Sequence, residues 1–516
     1  MSISPSRNAA PVYSFRLKEL PFLTLGIAVA FYLTVILPEF WNCPLGYDFF
    51  YSLWRAKQAF VEPLSVFGLD PTLRFHPLHF VSVGFLYGLS GLHPWGYGLA
   101  NALLHVLNVL LLFAWARLVR MAKGGAAVAA IFFLFLSIQW GTIWDLQQSA
   151  RLACVSLFLL SMLGFVGSTL TEKRSGFLYT ISLLLFLLSF GFNEDSVTLP
   201  VMLLVTAGIF LPLRNRFSRV LLLALPFFLL SGFYSLISIQ MGTPQGWRLH
   251  VGGHVLVNLL SMGKEFLHAL LIPRPEFVSL LPLPSALARL LPLGAVVLFL
   301  GRVGRDPEFR AAKTQFDRRI VFWAAVWTVV TSFPYVLRPM DGLWQARYLY
   351  LPAMGVALLA GSFVHDLWLR LRTHFLLRLC LAAILASVLA LNVVTNLYMA
   401  RKARSQLNAA TPEELPLVFS LVSEIRKNFP HSMEFPPHTL LVVEGIPIRP
   451  DRLKELLATY VKSLPSQMIE VPEGDLDLLQ KILTDPSRDE VIYLKRKKGE
   501  TLRSARYPSY RAVTGT

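Results

Sequence analysis

Residues Leu20 to Leu37 read LPFLTLGIAVAFYLTVIL, a predominantly apolar run without a single charged side chain. A membrane span needs roughly 20 mostly apolar residues, so this run predicts a transmembrane helix. Arg7, Arg16 and Lys18 precede it, and no small-residue cleavage site follows it. This arrangement predicts a signal anchor that stays in the protein, with the N-terminus in the cytoplasm.

The composition of the whole chain extends this pattern. Of its 516 residues, 54% are hydrophobic and 15% are charged, and the mean hydropathy is +0.54. In soluble domains, charged residues make up about a quarter of the chain. The composition therefore predicts an α-helical polytopic membrane protein and excludes a secreted disulfide scaffold or a disordered chain. The first 400 residues contain about a dozen apolar stretches with short loops between them.

The charge distribution argues against nucleic-acid binding. The formal net charge is +17, yet residues 401–516 contain 18 basic and 15 acidic residues. Most of the basic excess therefore lies among the membrane spans, where it usually reflects topology. We predict membrane lipids, and no nucleic acid, as partners.

One segment decides the topology. Residues His76 to Gly91 are apolar but short and interrupted by glycines, which favours a helix on the outer membrane face. The next run, Tyr97 to Trp115, then crosses inward and places three basic residues, Arg117, Arg120 and Lys123, in the cytoplasm. The later basic loops agree with this order, which gives about 11 transmembrane helices, outer-face juxtamembrane helices and a C-terminal segment outside.

The same topology assigns each carboxylate to one side of the membrane. Ten of the 16 acidic residues before position 400 fall on the outer side. Ionisable residues at the ends of spans are functional candidates, so the outer face is where we expect the chemistry. The ten are Glu39, Asp48, Glu62, Asp70, Asp145, Glu194, Asp195, Glu265, Glu276 and Asp341.

The chain divides by composition into a cytoplasmic N-terminus (1–19), a transmembrane domain (20–400) and a small extracytoplasmic α/β domain (405–516). We find no glycine-rich phosphate loop, no metal-spaced Cys/His cluster and no Ser-His-Asp signature. The patterns that predict the last domain are strands at His438 to Val443 and Val491 to Leu494, and amphipathic helices near Arg452 to Leu464 and Leu476 to Leu483.

Asp48 follows the first span and is flanked by aromatic residues that suit the headgroup level. A carboxylate there can act as general base on an acceptor hydroxyl or help to hold a divalent cation, which leaves the metal requirement unknown. The alternative is a helix cap or a loop charge.

Arg74 and His76 lie at the start of the outer surface helix, where an arginine fork and a helix N-terminus can bind a lipid phosphate. Asn101 and His105 lie four positions apart in the next span. Such a pair favours hydrogen bonding between helices over ligand binding.

Two further outer turns carry acidic residues, Asp145 in one and Glu194 in the other, which could converge on one pocket. With Asp48, these two are the candidate catalytic residues. The open alternative is an ion pair between Asp145 and Arg151 that only orders its turn. Arg347 enters a span from the outer side, where it either snorkels or contacts a phosphate leaving group.

Several sequence elements follow one another in a characteristic order: Asp48 after the first span, Phe75-His76-Pro77-Leu78, Gly91-Leu92-His93-Pro94-Trp95-Gly96 with the helix of Asn101 and His105, Asp145 in the second outer turn, Glu194 followed by Val197-Thr198-Leu199-Pro200, and Arg347-Tyr348-Leu349-Tyr350-Leu351-Pro352. This order resembles the GT-C superfamily of membrane glycosyltransferases. Within it, the chain most resembles protein O-mannosyltransferase-type enzymes, both the TPR-bearing lumenal enzymes and their bacterial relatives, over roughly residues 20–400 and without a TPR array.

The resemblance implies transfer of a sugar, with inversion, from a polyprenyl-phosphate donor to a protein or glycan acceptor, as in protein glycosylation by mannosyltransferases. Asp48 and Asp145 would be the loop carboxylates, and Arg74 or His76 with Arg347 the donor-phosphate contacts. The sequence departs from the family where Phe49 follows Asp48 and where His76 replaces an arginine, which leaves the sugar, the acceptor and activity itself open.

Two other functions remain alternatives: a lipid or saccharide transporter or flippase, and a noncatalytic GT-C-like scaffold. A transporter would place ionisable residues near mid-membrane and show paired repeats, whereas here the acids cluster at outer span ends. The compact loops favour a bacterial inner membrane with the active site facing the periplasm.

Overall fold

The computed structural model of the protein describes residues 20–40, 52, 56, 76–91, 93–143, 148–170, 175–210, 217–240, 252–270, 285–306, 317–337 and 346–406, and four strands between 439 and 508. The α-helices are α1 Leu20–Phe31, α2 Leu37–Phe40, α3 Pro77–Ser90, α4 Pro94–Leu118, α5 Lys123–Phe135, α6 Trp140–Ile143, α7 Ser149–Leu170, α8 Ser175–Phe190, α9 Leu199–Phe210, α10 Phe217–Gln240, α11 Gly253–Leu270, α12 Ser285–Arg305, α13 Arg318–Val336, α14 Tyr350–Arg370 and α15 Phe375–Gln406. Short 3₁₀ turns occupy Ser137–Gln139, Glu194–Thr198, Ala346–Leu349 and Leu371–Thr373, and a π-helical turn, Tyr32–Ile36, joins α1 to α2.

Seven helices in the described part of the chain are long and apolar enough to cross a membrane. An eighth would be the bent pair Lys123–Phe135 and Ser137–Ile143, whose halves meet at 45°. Two more apolar helices, α3 and α8, have only 14 and 16 residues. The chain is therefore a helical protein with multiple candidate spans, while the total of about 11 stays a prediction because several apolar runs form short or broken helices.

The segments that decided the predicted topology form helices near the predicted bounds. The first span runs over Leu20–Glu39 and the inward-crossing helix over Pro94–Leu118. The segment between them forms α3, whose 14 residues extend only about 21 Å. A bilayer core is about 30 Å thick, so α3 alone does not extend across it, and its place on the outer face stays a prediction.

Contacts between helix ends group the residues that the topology assigns to the same side. The Lys123 ammonium lies 5.2 Å from the centre of the Phe22 ring. On the other side, Arg401 near the end of α15 lies 3.5 Å from Glu39 at the end of the first span. The sidedness relative to a membrane remains a prediction.

Close helix packing in the bundle depends on glycine. A Cβ on Gly361 of α14 would lie 2.5 Å from the Gly125 carbonyl oxygen of α5, and one on Gly355 would lie 2.6 Å from the Ala324 carbonyl oxygen of α13. Small residues let helix backbones approach each other in this way. Helix α14 is thereby fixed against α5 and α13, and it begins directly after the 3₁₀ turn that contains Arg347.

The chain forms two compact units, one of residues 1–43, 66–82 and 93–405 and one of residues 44–65, 83–92 and 406–516. The second contains a four-stranded sheet of order β2-β1-β3-β4, with β1–β2 and β1–β3 parallel and β3–β4 antiparallel. Its strands are β1 Thr439–Glu444, β2 Gln467–Val471, β3 Glu490–Lys495 and β4 Arg503–Pro508.

The strands β1 and β3 lie where the sequence predicted them. The strands β2 and β4 were not predicted, because QMIEV is short and RSARYP lacks an apolar alternation. The two predicted helices of this region lie outside the described residues, so the α/β class of this region stays a prediction.

Candidate functional site

Three of the six predicted site residues, His76, Glu194 and Arg347, belong to the described part of the chain. The other three predicted site residues, Asp48, Arg74 and Asp145, lie outside it.

A 3₁₀ turn between α8 and α9 presents two acidic side chains to the protein interior. The backbone of Asn193 is extended, and its side-chain oxygen accepts a hydrogen bond from the Asp195 N–H at 3.2 Å. Asparagine is a preferred helix N-cap for this reason. The cap starts the turn at Glu194 and leaves both Glu194 and Asp195 buried, at 6% and 5% exposure.

His76 meets this turn from the start of α3. Its Nε2 atom lies 2.9 Å from the Glu194 carboxylate, and both side chains are about nine-tenths buried. The backbone around the pair is fixed, because the His79 N–H donates to the Gly191 carbonyl oxygen at 3.1 Å. A Cβ on Gly191 would lie 2.6 Å from Leu78. The structure thus brings two predicted site residues into direct contact.

Arg151 connects the same turn to the segment around Arg347. Its Nε donates to the Asp195 carboxylate at 2.9 Å, and its Nη1 donates to the Arg347 carbonyl oxygen at 2.9 Å. The Arg151 guanidinium carbon lies 5.0 Å from the centre of the Tyr348 ring, within the range of a cation–π contact. The Tyr335 hydroxyl donates to the other Asp195 oxygen.

Arg347 lies on the 3₁₀ turn that precedes α14. Its carbonyl oxygen also accepts a hydrogen bond from the Thr142 hydroxyl at 3.2 Å. Its guanidinium lies 5.3 Å from the Tyr348 ring centre. Unlike Arg151, Arg347 is only partly buried.

The sequence left open whether Arg151 pairs with Asp145. The described structure gives Arg151 a different carboxylate partner, Asp195, while Asp145 lies outside the described residues. Burial raises the pKa of the Asp195 carboxyl from its ordinary value to about 6, and the neighbouring Arg151 guanidinium opposes that rise. Burial therefore makes the Asp195 carboxyl easier to protonate than an exposed aspartate.

A buried polar network continues from this site into the helices. Asn101 donates to the Ile143 carbonyl oxygen at 3.1 Å. His105 contacts the Leu134 carbonyl oxygen at 3.1 Å and the Tyr350 hydroxyl at 2.8 Å. The predicted role of Asn101 and His105 in bonding between helices is confirmed.

These contacts fix the His105 tautomer. A carbonyl oxygen only accepts, so Nε2 carries the proton, and Nδ1 accepts from the Tyr350 hydroxyl. The Asn108 amide donates to the same hydroxyl at 3.2 Å, and the Ser156 hydroxyl donates to the Asn108 side-chain oxygen at 2.8 Å. A neutral, fully bonded His105 is a structural element of the bundle core.

No group of three His, Cys, Asp or Glu side chains among the described residues could hold a metal ion. Because Asp48 and Asp145 lie outside that part of the chain, the divalent cation stays an open question.

No protein-family model matches this chain, and no curated protein matches it. Among solved structures, the chain is similar to ArnT from Cupriavidus metallidurans in the apo state, with 13% identity, 92% of this chain and 93% of that chain covered, and a TM-score of 0.44. It is also similar to the apo oligosaccharyltransferase of Archaeoglobus fulgidus, with 13% identity, coverage of 90% and 66%, and a TM-score of 0.47. A third is archaeal oligosaccharyltransferase AglB from Archaeoglobus fulgidus in complex with an inhibitory peptide and a dolichol-phosphate, with 14% identity, coverage of 93% and 70%, and a TM-score of 0.44.

Proposed function

We propose that the protein is a membrane glycosyltransferase that moves a sugar from a polyprenyl-phosphate donor to a hydroxyl of a protein or glycan at the extracytoplasmic membrane face. The observation that carries the proposal is the direct contact of His76 with Glu194, together with the link from the same turn, through Asp195 and Arg151, to the backbone of Arg347. These residues come from distant parts of the chain. They place an imidazole, a carboxylate and a guanidinium at the ends of apolar helices.

The chemistry of the reaction needs these groups. The acceptor oxygen forms a bond to the anomeric carbon as the bond from that carbon to the lipid-phosphate oxygen breaks. A carboxylate takes the acceptor proton as general base. Cationic side chains stabilise the charge that develops on the leaving lipid phosphate.

The assignment of roles follows position and charge. Arg347, a partly buried residue, and His76 contact the donor phosphate, together with Arg74. Glu194 orients His76 by direct contact and adds a carboxylate to the site. Asp48 and Asp145 are the candidate general bases, on the family resemblance of their loops. A dolichol-phosphate, as in the AglB structure, belongs to the class of lipid proposed as donor.

The test is sugar transfer from radiolabelled polyprenyl-phosphate sugars by protein reconstituted in nanodiscs. We expect Asp48→Asn or Asp145→Asn to reduce transfer by roughly 100-fold or more, the range of a lost general base. Glu194→Gln should also reduce transfer, because His76 loses its anionic partner. Asp317→Asn is the matched control, since Asp317 is a half-exposed helix cap beside Arg319 at the predicted cytoplasmic side.

Unchanged transfer in all three site variants would refute the site. Absence of transfer in the wild type across several donor sugars would refute the function. In that case, the same purified protein is reconstituted in liposomes and tested for lipid translocation. Translocation of lipid would favour the flippase alternative.

A further inference from the structure

We propose that Arg151 is a positioning residue that sets the donor-binding geometry by fixing Arg347. The inference rests on the proposed function, because it takes Arg347 as a donor-phosphate contact. Arg151 itself does not touch the donor, since its side chain is only 2% exposed.

The two strong hydrogen bonds of Arg151 go to two separate chain segments. Nε donates to Asp195 on the turn before α9, and Nη1 donates to the Arg347 carbonyl on the turn before α14. A guanidinium is planar and rigid, so its two donors hold their acceptors at a fixed angle. The position of the Arg347 backbone is therefore tied to the Asp195 turn.

The surroundings of Arg151 prevent it from binding an anion. Asp195 neutralises its charge, and Asp195 is in turn held by the Tyr335 hydroxyl. The Tyr348 and Tyr335 rings lie 5.0 and 5.9 Å from the Arg151 guanidinium carbon. With its charge balanced and its plane enclosed, Arg151 acts on the donor only through the residues it positions.

A double-mutant cycle separates positioning from a general stabilising role. The variants are Arg151→Lys, which keeps the charge but loses the planar fork, Arg347→Gln, and the double variant. Arg370→Lys is the control, because Arg370 forms a comparable pair with Asp366 at 2.9 Å elsewhere on α14. Asp195→Asn is a second test variant, for the case that Arg151→Lys folds poorly. It keeps the shape of the aspartate side chain and removes its charge.

The readout is the Kd of undecaprenyl phosphate for each variant in nanodiscs, with the thermal unfolding midpoint measured in parallel. We expect Arg151→Lys and Arg347→Gln each to weaken binding about tenfold, and the double variant to be within about twofold of Arg347→Gln alone, because coupled residues are not additive. Asp195→Asn should behave like Arg151→Lys in both backgrounds. Arg370→Lys should change the Kd by less than about twofold in either background.

Multiplying losses in the double variant, or an equal loss from Arg370→Lys, would overturn the positioning role and leave the glycosyltransferase proposal standing. A wild type that binds the lipid phosphate but transfers no sugar would overturn the proposed function, while the cycle still decides the role of Arg151. A wild type that does not bind undecaprenyl phosphate would overturn both.

Discussion

The Nε atom of Arg151 lies 2.9 Å from the Oδ2 atom of Asp195, and the two side chains are only 2% and 3% exposed. They are 44 positions apart in the chain. A charge inside an apolar helix bundle is expensive unless it is paired. Each of the two residues therefore depends on the other for its ionised state, and the pair holds α7 against the turn that contains Glu194.

Breaking this pair from one side should destabilise the protein. We expect Arg151→Met to lower the free energy of unfolding by about 3–5 kcal/mol, because it leaves the Asp195 charge buried and alone. The double variant Arg151→Met/Asp195→Leu should recover most of that loss. Unfolding of the purified protein in mixed micelles measures both values.

The exposed pair of Arg319 and Asp317 provides the control. Its atoms lie 3.5 Å apart, with side chains 69% and 39% exposed, so Arg319→Met should change the free energy by less than about 1 kcal/mol. A double variant as unstable as Arg151→Met alone would contradict the account of a buried pair.

The raised pKa of Asp195, about 6, predicts a pH-dependent stability. A carboxyl whose pKa is higher in the folded state binds its proton more tightly there. The contribution of Asp195 to stability is therefore present at low pH and is lost as the pH rises from about 4 through about 6. We expect the unfolding midpoint of the wild type, relative to Asp195→Asn, to fall over this range.

The comparison with Asp195→Asn removes the effects of the groups that both proteins share. The charged or ionisable side chains beside this carboxyl are Arg151, Glu194 and His76. Donor binding should follow the opposite direction, because protonation of Asp195 near pH 6 removes the anion that holds Arg151. A midpoint difference that stays constant from pH 4 to pH 8 would contradict the raised pKa.

Gly361 tests the close approach of α14 and α5. A methyl group there would meet the Gly125 carbonyl oxygen at 2.5 Å and the Ala129 nitrogen at 2.7 Å. These are backbone atoms, so the helices must separate, and we expect Gly361→Ala to lower the free energy of unfolding by about 1–3 kcal/mol.

Gly301→Ala on α12 is the control, since nothing lies within 4 Å of its added Cβ. Alanine is the better helix former, so Gly301→Ala should be neutral or stabilising. Equal effects of the two substitutions would contradict the packing argument.

The local features of this fold could be predicted from the sequence. Apolar runs gave helices at Leu20–Glu39 and Pro94–Leu118, and the short, glycine-broken run after His76 gave the 14-residue α3. The spacing of Asn101 and His105 indicated bonding between helices. These features depend on period and length, which a single sequence records.

The partners of the charged residues could not be predicted in the same way. Arg151 begins a span, and the acidic residue nearest in sequence, Asp145, was the obvious partner to weigh. The partner found, Asp195, lies 44 positions further along the chain, on the turn between α8 and α9, and meets Arg151 only through the packing of helices. Tyr335 has no sequence signal at all, because an aromatic residue in an apolar helix is ordinary. Tyr350 could only be suspected from its place in the Arg-Tyr-Leu-Tyr-Leu-Pro element.

Gln139 lies at the end of the 3₁₀ turn Ser137–Gln139. Its side chain is fully buried, and neither amide atom has a hydrogen-bond partner among the described residues. Burying an unpaired amide costs about 1–3 kcal/mol, so Gln139→Met should raise the unfolding midpoint.

Asn392→Leu is the matched control and should lower the unfolding midpoint, because the Asn392 side chain accepts from the Ser137 N–H at 2.7 Å and donates to the Ala269 carbonyl oxygen at 2.7 Å. Gln139→Met could stabilise the fold and at the same time reduce sugar transfer. In that case the amide has a role in substrate binding, because groups that destabilise a fold are often retained for function. A lower midpoint for Gln139→Met would show that the amide is satisfied in the folded protein and would contradict this argument.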